Sequence, residues 1–561
     1  MPRPRPQIGS WPKPEMLRPK LEMGRKAEVE IGYVAVEKTK LMTLSSPEGV
    51  SQQPPNGYDV TRVVSDPGSA HTISKDDPEK GPSLPYCDTT PDAETSSLVD
   101  VDPVAIKKLK TKIDRRLVPL VSVLYLCAFL DRVNIGNAKV GGLEADLQLT
   151  PSEYNWSLSI FFIGYVIFEV PSNMCLKVIG PRFWLSFVMV SWGGIMMCMS
   201  AVQSATGLLI ARFFLGVAES GLFPGVVYLF SLWYTRDEQA IRNGFFFSTA
   251  TLAGAFGGAL AYGIQQMDGI RGLHGWQWIF LLEGLPTVLL TSVVLWLLPN
   301  FPHNAKFLTQ EERDLTVMRL KIDAGPANQT QFSWREFRMV FRDYKTYLHM
   351  MMYILSTIPL YSLAFFLPSI VLGFDLDPLE TQLLTVPAYL IACVCTLFCA
   401  FSSDYHKERG IHFAIPTGTA CVGYILLICS KNSSTVVRYI CLTITTIGNF
   451  SAVPPMVSWF TSNIGGHTKR GVATGAIIAF GNIGGAIGGQ VYREADAANG
   501  YVRGHALCAG LLGFSVCLIL TTKFLLTREN RRRDRLTPEE FAREAEGEEL
   551  CDDHPAWRYW T

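Results

Sequence analysis

Charged side chains lie inside long apolar stretches of this sequence, where a charge is costly. Asp131 and Arg132 lie near the end of one apolar run, and Arg212 and Glu219 lie within another. A charge in the middle of a membrane-spanning helix costs a few kcal/mol, so each of these residues is expected to have a function or a partner. Arg212 and Glu219 are seven residues apart, which places them on one helix face, two turns apart.

These residue types suit the coupling of a proton to an organic anion. A guanidinium stabilises the ionised form of a neighbouring carboxyl group. When an anionic substrate takes the place of the carboxylate at the guanidinium, the carboxylate binds a proton more readily. This functional interpretation is favoured for Asp131, Arg132 and Glu219. For Arg212, a structural ion pair between two helices is an equally good interpretation.

The elements that must position these charges are membrane helices. Apolar stretches of about 18 to 25 residues recur from residue 118 onward, and each is long enough to cross a hydrocarbon core of about 30 Å. The predicted spans lie near residues 118–138, 154–176, 183–201, 207–231, 243–266, 276–298, 346–368, 380–402, 411–430, 436–461, 470–492 and 505–526. A polar stretch divides them into two sets of six. The sequence therefore predicts an all-α membrane protein with twelve transmembrane helices in two six-helix bundles.

The two halves repeat one another. A shift of 227 residues places Arg242 on Lys469, and Gly254, Gly257 and Gly258 on Gly481, Gly484 and Gly485. Such a register predicts a pair of parallel repeats. Because small residues let helix backbones approach closely, these glycines are expected to pack helices rather than to bind a ligand.

The segments outside the spans complete the predicted organisation. Residues 1–110 are predicted to be a disordered cytoplasmic tail, because a proline-rich segment with few apolar residues cannot offset its ordering entropy. The remaining predicted regions are an N-terminal bundle at 111–299, a cytoplasmic central loop at 300–345, a C-terminal bundle at 346–527 and a cytoplasmic tail at 528–561.

The distribution of Lys and Arg predicts the orientation. Most basic residues of the flanks and short loops lie on the side that carries both chain ends, and this side is expected to face the cytoplasm. We therefore predict a multi-pass protein, most simply of the plasma membrane. Of the N-x-S/T sequons, Asn432 falls on an external loop and is the predicted glycosylation site.

Several classes of function are excluded by what the sequence lacks. Lys and Arg balance Asp and Glu at fifty each, so no basic excess indicates nucleic-acid binding. The cysteines lie mostly in apolar runs and lack the C-x-x-C pairs of a metal site. No phosphate-binding loop, H-E-x-x-H helix or nucleophile elbow occurs. We therefore predict that the protein is not an enzyme and needs no cofactor or metal.

Several motifs together carry a family resemblance. They are Asp131-Arg-Val-Asn-Ile-Gly-Asn-Ala138, Glu169-Val-Pro-Ser-Asn173, the stretch from Arg212 to Pro224, and Gly466-His-Thr-Lys-Arg470 with Gly481-Asn-Ile-Gly-Gly485. Over about residues 110 to 530 the chain resembles the major facilitator superfamily. Within it, the chain is most similar to the anion:cation symporter group, in its fungal allantoate and nicotinate permease-like branch. The resemblance implies the major facilitator fold and alternating access between two rocking bundles.

The resemblance also implies roles for individual residues. Asp131 and Glu219 correspond to the proton-coupling pair, and Arg132 to the group that binds the substrate carboxylate. The helices that line the cavity in this fold add candidates for substrate binding, each of which could equally serve packing: Tyr125, Arg212, Tyr361, Asn449 and Asn482. The candidate gating residues of the cytoplasmic loops are Lys177, Arg182, Asp404, Arg409, Lys469 and Arg470. Glu169 and Glu283 are expected near helix ends, in gating or structural roles.

The function expected from this reading is proton-coupled uptake of a small organic anion, with a proton and the lipid bilayer as the other partners. Nicotinate, allantoate and other carboxylates of vitamins or nitrogen sources all fit. An exporter of an acidic metabolite by proton antiport would use the same residues. A receptor that binds a nutrient without transporting it is a further alternative, since fold alone does not determine function. The sequence assigns no oligomeric state.

Overall fold

A computed structural model describes residues 103–324, 333–374, 377–547 and 550–561. In this part of the chain, twelve helices are long and apolar enough to cross a membrane, which confirms the predicted all-α fold. In chain order, α1 to α12 are Pro103–Val140, Pro151–Leu176, Pro181–Met199, Ala205–Trp233, Ile241–Gln265, Gly275–Leu297, Tyr344–Leu372, Pro378–Tyr405, Gly410–Cys429, Thr435–Asn463, Thr468–Gly488 and Val502–Arg533. We call the side on which α1 begins and α12 ends the basic side.

The first helix starts earlier than the hydropathy pattern predicts. Helix α1 begins at Pro103, so residues 103–110, which the sequence analysis assigns to the disordered tail, are helical. The rest of that predicted tail, residues 1–102, lies outside the described residues. Ion pairs attach this part of α1 to the region where α5 begins: Arg242 of α5 donates two hydrogen bonds to Asp114, at 2.8 and 2.7 Å. Lys110 lies 2.8 Å from Glu238.

Three of the spans are interrupted, α4 and α10 well inside the span and α1 six residues before its end. Helix α1 breaks at Asn134, α4 at Ser220–Gly221 and α10 at Ala452. The break in α4 has a local cause, because a proline at position 224 provides no N–H for the carbonyl of Ser220 and its ring crowds that carbonyl. The first break lies just after Arg132 and the second just after Glu219, so both interruptions adjoin the membrane-embedded charges.

The two bundles, α1–α6 and α7–α12, meet along equivalent helices. Helix α5 packs on α8, and α11 packs on α2. Repeat-related glycines lie at both contacts: a Cβ at Gly258 would be 2.6 Å from the carbonyl oxygen of Gln382 in α8, and one at Gly485 would be 2.3 Å from the ring of Phe162 in α2. The structure thus confirms the packing role of these glycines.

The bundles are joined tightly on the side opposite the basic side. Asn155 of α2 donates to the carbonyl of Tyr492 at 3.1 Å, and Ser159 donates to the carbonyl of Ala486 at 2.7 Å. At the end of α1, a Cβ on Gly136 would lie 2.4 Å from the carbonyl oxygen of Phe365 in α7. The structure is therefore closed on this side.

The predicted central loop contains helices. Within the predicted central loop at 300–345, residues Gln310–Ala324 and Trp334–Arg342 are helical. The first of these helices is attached to the N-terminal bundle by ion pairs, from Glu312 to Lys112 at 2.6 Å and from Arg319 to Glu238 at 2.6 Å.

The C-terminal segment folds back onto the basic side of the C-terminal bundle. A short helix, α13 (Pro538–Ala545), follows α12, and the last residues return to the bundle. The carbonyl of Trp560 accepts hydrogen bonds from Trp459 at 2.8 Å and from Asn463 at 2.9 Å. The backbone N–H of Gly410 donates to the carbonyl of Thr561 at 2.8 Å. The predicted tail is thus packed against the loops between α8 and α9 and between α10 and α11.

A buried carboxylate holds this segment in place. Asp552 is fully buried and lies 2.6 Å from Lys345 and 2.5 Å from Lys469. Lys469 also lies 2.9 Å from Asp343 at the start of α7, while Tyr559 donates to the Asp552 carbonyl at 2.8 Å. Burial opposes ionisation, but the two lysines more than offset it and hold the pKa of Asp552 below its ordinary value.

We predict that Asp552→Asn lowers the free energy of unfolding by about 3 kcal/mol, because the buried Lys469 and the partly buried Lys345 both lose a carboxylate partner. Thermal unfolding of the purified protein measures this loss. Folding lowers the pKa of Asp552 below its ordinary value of 3.8. Its contribution to the free energy of unfolding is therefore fully present at pH values above 3.8 and is lost as the pH falls through the folded-state pKa. Asp534→Asn is the matched control: its pair with Arg558 is exposed and should contribute little. Equal melting temperatures for the two variants would contradict the prediction.

Candidate functional site

A buried ion pair connects α1 and α4 at the centre of the described structure. Arg132 and Glu219 are 4 % and 1 % exposed and form a salt bridge. The Nη1 atom of Arg132 also donates to the hydroxyl of Tyr361 in α7, at 3.2 Å. The pair therefore contacts both bundles, and three of the residues predicted for proton coupling and substrate binding are brought together.

Aromatic side chains of α2 enclose the guanidinium. The Cζ atom of Arg132 lies 5.2 Å from the ring centroid of Phe161, 5.8 Å from that of Phe162 and 5.3 Å from that of Tyr165. The ring of Phe162 packs edge-on against Tyr361 at 4.8 Å. Aromatic faces attract a cation and exclude water from it, which strengthens the charge interactions inside the site. These rings are not among the site residues predicted from the sequence, although their i, i+1 and i+4 spacing in α2 places them near one helix face.

The pair leaves hydrogen-bonding capacity unused. Within the described residues, neither Nε of Arg132 nor Oε2 of Glu219 has a hydrogen-bond partner, although both atoms are buried. Buried polar atoms are almost always satisfied, so such exceptions call for an explanation. A carboxylate ligand would accept a bond from the guanidinium, and a proton on Glu219 would turn its carboxyl group into a donor.

Arg132 and Tyr361 also occupy related positions in the two repeats. They are 229 residues apart, close to the repeat shift, and lie on the first helix of their respective bundles. Their hydrogen bond therefore lies near the axis about which the two bundles are related. This hydrogen bond joins the first helix of one bundle directly to the first helix of the other.

A second polar contact crosses the bundle interface nearby. Asn482 of α11 donates to Oε2 of Glu169 in α2 at 3.4 Å, and both side chains are buried. The expectation that Glu169 lies near a helix end is wrong, because it lies inside the membrane-spanning part of α2, which begins at Pro151 and ends at Leu176. Asn482 thus contacts a carboxylate of the opposite bundle.

Asp131 points away from the ion pair. Consecutive residues of a helix differ in direction by about 100°, so the side chains of Asp131 and Arg132 face different neighbours. The Oδ2 atom of Asp131 accepts hydrogen bonds from Trp192 of α3 at 3.1 Å and from Thr287 of α6 at 3.4 Å. One turn before Thr287 lies Glu283, which is also buried and lies eight residues after the start of α6 at Gly275. The two carboxyl groups that the sequence predicts to act as a pair therefore lie on different faces.

Glu283 adds an unexpected acidic group to this region. No described residue forms a hydrogen bond with either carboxyl oxygen of Glu283 or with Oδ1 of Asp131, and all three atoms are buried. Thr287 bridges the two residues, because its hydroxyl also lies 3.4 Å from the backbone carbonyl of Glu283. A buried carboxyl group without a cationic partner is stable mainly in its protonated form.

Within the described residues, Arg212 forms hydrogen bonds to backbone carbonyls rather than the structural ion pair that the sequence leaves open. It is fully buried, and its Nε and Nη2 atoms donate to the backbone carbonyls of Ser157 at 3.2 Å and Arg132 at 3.4 Å. Its guanidinium lies 5.2 Å from the ring centroid of Phe161. Arg212 therefore connects α4 to α1 and α2 and supports the ion pair from behind.

Two other candidates for substrate binding lie elsewhere. Tyr125 stacks on Phe246 of α5 at 4.2 Å, within an aromatic cluster. Asn449 donates to the carbonyl of Thr445 at 3.0 Å and to the hydroxyl of Tyr424 in α9 at 3.4 Å. The structure thus gives Tyr125 and Asn449 packing contacts inside their own bundles.

The predicted gating residues make contacts within single bundles in this state. Arg409 forms an ion pair with Asp404 and lies against the ring of Trp560, while Lys469 binds Asp552. The backbone N–H of Arg182 donates to the side chain of Asn300 at 2.9 Å, and the side chain of Arg470 donates to the carbonyl of Ile464 at 2.9 Å. The side chain of Lys177 lies outside the described part of the chain. A gating role would belong to the state that is closed on the basic side.

Comparison with known proteins gives one family and a set of relatives. Residues 121–489 match the model of the Major Facilitator Superfamily. The protein named MFS transporter prlL of Fungal sp. (strain NRRL 50135) is 34 % identical over 489 residues, 86 % of this chain and 97 % of the relative. A protein named putative tartrate transporter of Agrobacterium vitis is 34 % identical over 411 residues, 73 % of this chain and 90 % of the relative.

Solved structures share the fold. The crystal structure of a D-xylose-proton symporter aligns with a TM-score of 0.57 at 14 % identity, over 72 % of this chain and 96 % of the other. A bacterial homolog to the human lysosomal transporter Spinster, in its inward-facing and unoccupied conformation, aligns with a TM-score of 0.58 at 13 % identity, over 78 % and 100 % of the two chains.

Gly216 sets the distance between α4 and α2 and thereby the position of Glu219. A Cβ at Gly216 would lie 1.9 Å from the carbonyl oxygen of Phe161, so a methyl group must push the helices apart. We predict that Gly216→Ala lowers the free energy of unfolding by about 2 kcal/mol, measured by thermal unfolding, and weakens any transport activity. Gly194→Ala is the control, because nothing lies within 4 Å of the added atom. A Gly216→Ala protein as stable and active as this control would show that the close approach is dispensable.

Proposed function

The chain belongs to the Major Facilitator Superfamily, and we propose that this transporter carries a small organic anion together with a proton by alternating access. It is a multi-pass membrane protein and not an enzyme. Within the superfamily we assign it to the anion:cation symporter group, on the motifs around Asp131, Arg212 and Gly466. The observation that carries the proposal is the buried Arg132–Glu219 pair, which reaches Tyr361 of the other bundle.

The proposed coupling is an exchange of partners at Arg132. A substrate carboxylate competes with Glu219 for the guanidinium, and Glu219 can yield only if a proton neutralises it, because an ionised carboxylate without a partner is costly in this buried position. One proton therefore accompanies each anion into the site. When the proton leaves, Glu219 recovers Arg132 and expels the substrate.

The same arrangement links substrate to conformation. Tyr361 belongs to the C-terminal bundle and Arg132 to the N-terminal bundle, so an anion that binds Arg132 near Tyr361 contacts both bundles at once. The Glu169–Asn482 contact lies at the same interface and offers the substrate a second polar group. Opening to the opposite side requires the contact of Ser159 with α11 and the contact of Asn155 with Tyr492, just beyond α11, to break. A substrate that bridges the bundles favours their movement as a unit.

Relatives support the substrate class. The relative named a putative tartrate transporter points to carboxylates, and the structural neighbour named a D-xylose-proton symporter shows that this fold accommodates proton coupling. For this chain we propose a carboxylate such as nicotinate, allantoate or another vitamin or nitrogen-source acid. The aromatic side chains around Arg132 suit a flat ring that carries the acid group.

Asp131 is proposed as a second protonatable group of the coupling mechanism. It lies beside Glu283 and Thr287 on the far side of α1 from Arg132. Because Asp131 and Arg132 are adjacent in the chain, a change in the charge of Asp131 changes the electrostatic potential at Arg132. Protonation of Asp131 would thus influence the Arg132–Glu219 pair without contacting the substrate.

We propose that the protein resides in the plasma membrane with the basic side in the cytoplasm. The closed side would then be the external one, and the described state would face inward. Asn432 is exposed in the loop between α9 and α10 on that external side, which suits its proposed glycosylation.

We predict that Glu219→Gln abolishes proton-driven accumulation but preserves exchange of substrate across the membrane. Glutamine resembles the protonated carboxyl group, so Arg132 stays free for the anion while the proton step is lost. The measurement is accumulation of labelled carboxylic acids, nicotinate among them, at external pH 5 and 7 with and without a protonophore, followed by counterflow in preloaded cells. Arg132→Gln should lower both activities about 100-fold, because the substrate loses a charge-assisted contact in a buried site.

Glu380→Gln serves as the control, since Glu380 is exposed at the start of α8. Full acid-stimulated accumulation by the Glu219→Gln protein would refute the coupling scheme. Failure of the wild type to accumulate any acid, together with reduced retention of preloaded acids, would favour proton-antiport export instead.

For Asp131→Asn we expect a different signature. The substrate contacts remain, so the concentration for half-maximal uptake should change less than threefold, while the ratio of uptake at pH 5 to that at pH 7 falls. Loss of substrate affinity without a change in this ratio would assign Asp131 to the structure of the α1, α3 and α6 contact.

A further inference from the structure

A basic cleft lies outside the transport site, where α12 leaves the membrane on the basic side. It encloses about 610 Å³ between the end of α12 and helix α13. The wall formed by α12 carries Arg528, Arg531 and Arg532, and Arg535 follows just after the helix ends. Phe524 lies at the membrane end of the cleft.

The cleft continues a single face of α12. Leu520, Phe524, Arg528 and Arg531 follow at spacings of four, four and three residues, so they share one helix face, and Arg535 follows four residues later, just beyond the end of α12. Leu520 and Phe524 are 49 % and 64 % exposed, as expected of side chains that face lipid tails. The face thus changes from apolar to cationic at the level where the helix emerges from the hydrocarbon core.

The charge in the cleft is only partly neutralised. Arg532 is paired with Glu529 and, through two hydrogen bonds of 2.7 and 3.0 Å, with Glu544 of α13. Within the described chain, the side chains of Arg528, Arg531 and Arg535 have no hydrogen bond or ion pair. The remaining acid, Glu540, caps the start of its own helix, which leaves an excess of positive charge facing the cleft.

The opposite wall is held by specific contacts. The Arg532–Glu544 pair attaches α13 to α12, and His554 packs edge-on against Phe541 at 6.2 Å. Arg533 is buried and donates to the carbonyls of Asp552 and Trp557, each at 3.0 Å, which secures the returning C-terminal segment. The cleft is therefore a formed feature of the fold rather than a gap beside a loose tail.

We propose that this cleft binds the headgroup of an anionic phospholipid of the leaflet on the basic side. Arginine forks match phosphate oxygens with paired hydrogen bonds, and juxtamembrane basic clusters attract anionic lipids. Arg528, Arg531 and Arg535 contact the phosphate and headgroup, and one acyl chain lies along Phe524 and Leu520. Free phosphate could make the same contacts with the arginines. Only a lipid also has an acyl chain to contact Leu520 and Phe524, the apolar part of the same helix face.

The test is native mass spectrometry of the purified full-length chain in neutral detergent, with equal amounts of palmitoyl-oleoyl phosphatidylserine and phosphatidylcholine. We expect the wild type to retain phosphatidylserine at least fivefold over phosphatidylcholine. Replacing Arg528, Arg531 and Arg535 together with glutamine should reduce this ratio to about one. The single substitution Arg531→Gln should reduce the ratio of bound phosphatidylserine to phosphatidylcholine at least twofold. Because Arg531 is exposed, this variant should fold, so the proposal can be tested even if the triple variant does not fold.

The control replaces Arg335, Arg338 and Arg342 with glutamine. These residues lie at the same helical spacing on the connecting helix Trp334–Arg342, and all three are exposed. This variant should keep the wild-type ratio. An equal loss of phosphatidylserine in the control would attribute binding to general surface charge and overturn the proposal. Competition by the soluble headgroup glycerophosphoserine at the same concentration as the lipid would overturn it as well, in favour of a site for free phosphate esters.

Discussion

The charge of Arg132, buried in the centre of a membrane protein, is the constraint on which the rest of the arrangement depends. A guanidinium in this environment requires a counter-charge, and Glu219 provides it from α4. The aromatic side chains of α2 then shield the pair, and Arg212 holds the backbone of α1 from behind. Because the pair is costly to separate, only a competing anion together with a proton can separate it, which is the physical basis of the proposed coupling.

The internal repeat explains how this pair comes to lie between two moving bundles. Arg132 and Tyr361 lie at closely related positions on the first helix of each half and are joined by a hydrogen bond. Glycines at equivalent positions of α5 and α11 let these helices contact α8 and α2 of the opposite bundle. Close contact through small residues gives an interface with few interlocking side chains, so the bundles can move relative to one another at modest cost.

The basic side shows how each bundle is kept rigid while the interface between them changes. In both repeats the start of the first helix is paired with the start of the fifth: Asp114 with Arg242, and Asp343 with Lys469. The second pair is reinforced by Asp552, which belongs to the segment that follows α12. Such ion pairs join helices of the same bundle, so a rigid-body movement of one bundle against the other would leave them intact.

The sequence by itself determined the number of spans, the division into two bundles and the positions of the membrane-embedded charges. Hydropathy and glycine register are local or periodic properties, and the bilayer converts them directly into helices of defined length. The sequence also singled out Arg132 and Glu219, because an intramembrane charge is conspicuous without any structure. Only the tertiary structure decided which charges meet. The direction of each side chain depends on how the helices are rotated against one another, and this is why Asp131 faces Trp192 and Thr287 rather than Glu219. For the same reason, the sequence alone predicts neither the contact of Glu169 with Asn482 nor the packing of the C-terminal segment on its bundle. Asp552 of that segment binds Lys345 and Lys469, which are far from it along the chain.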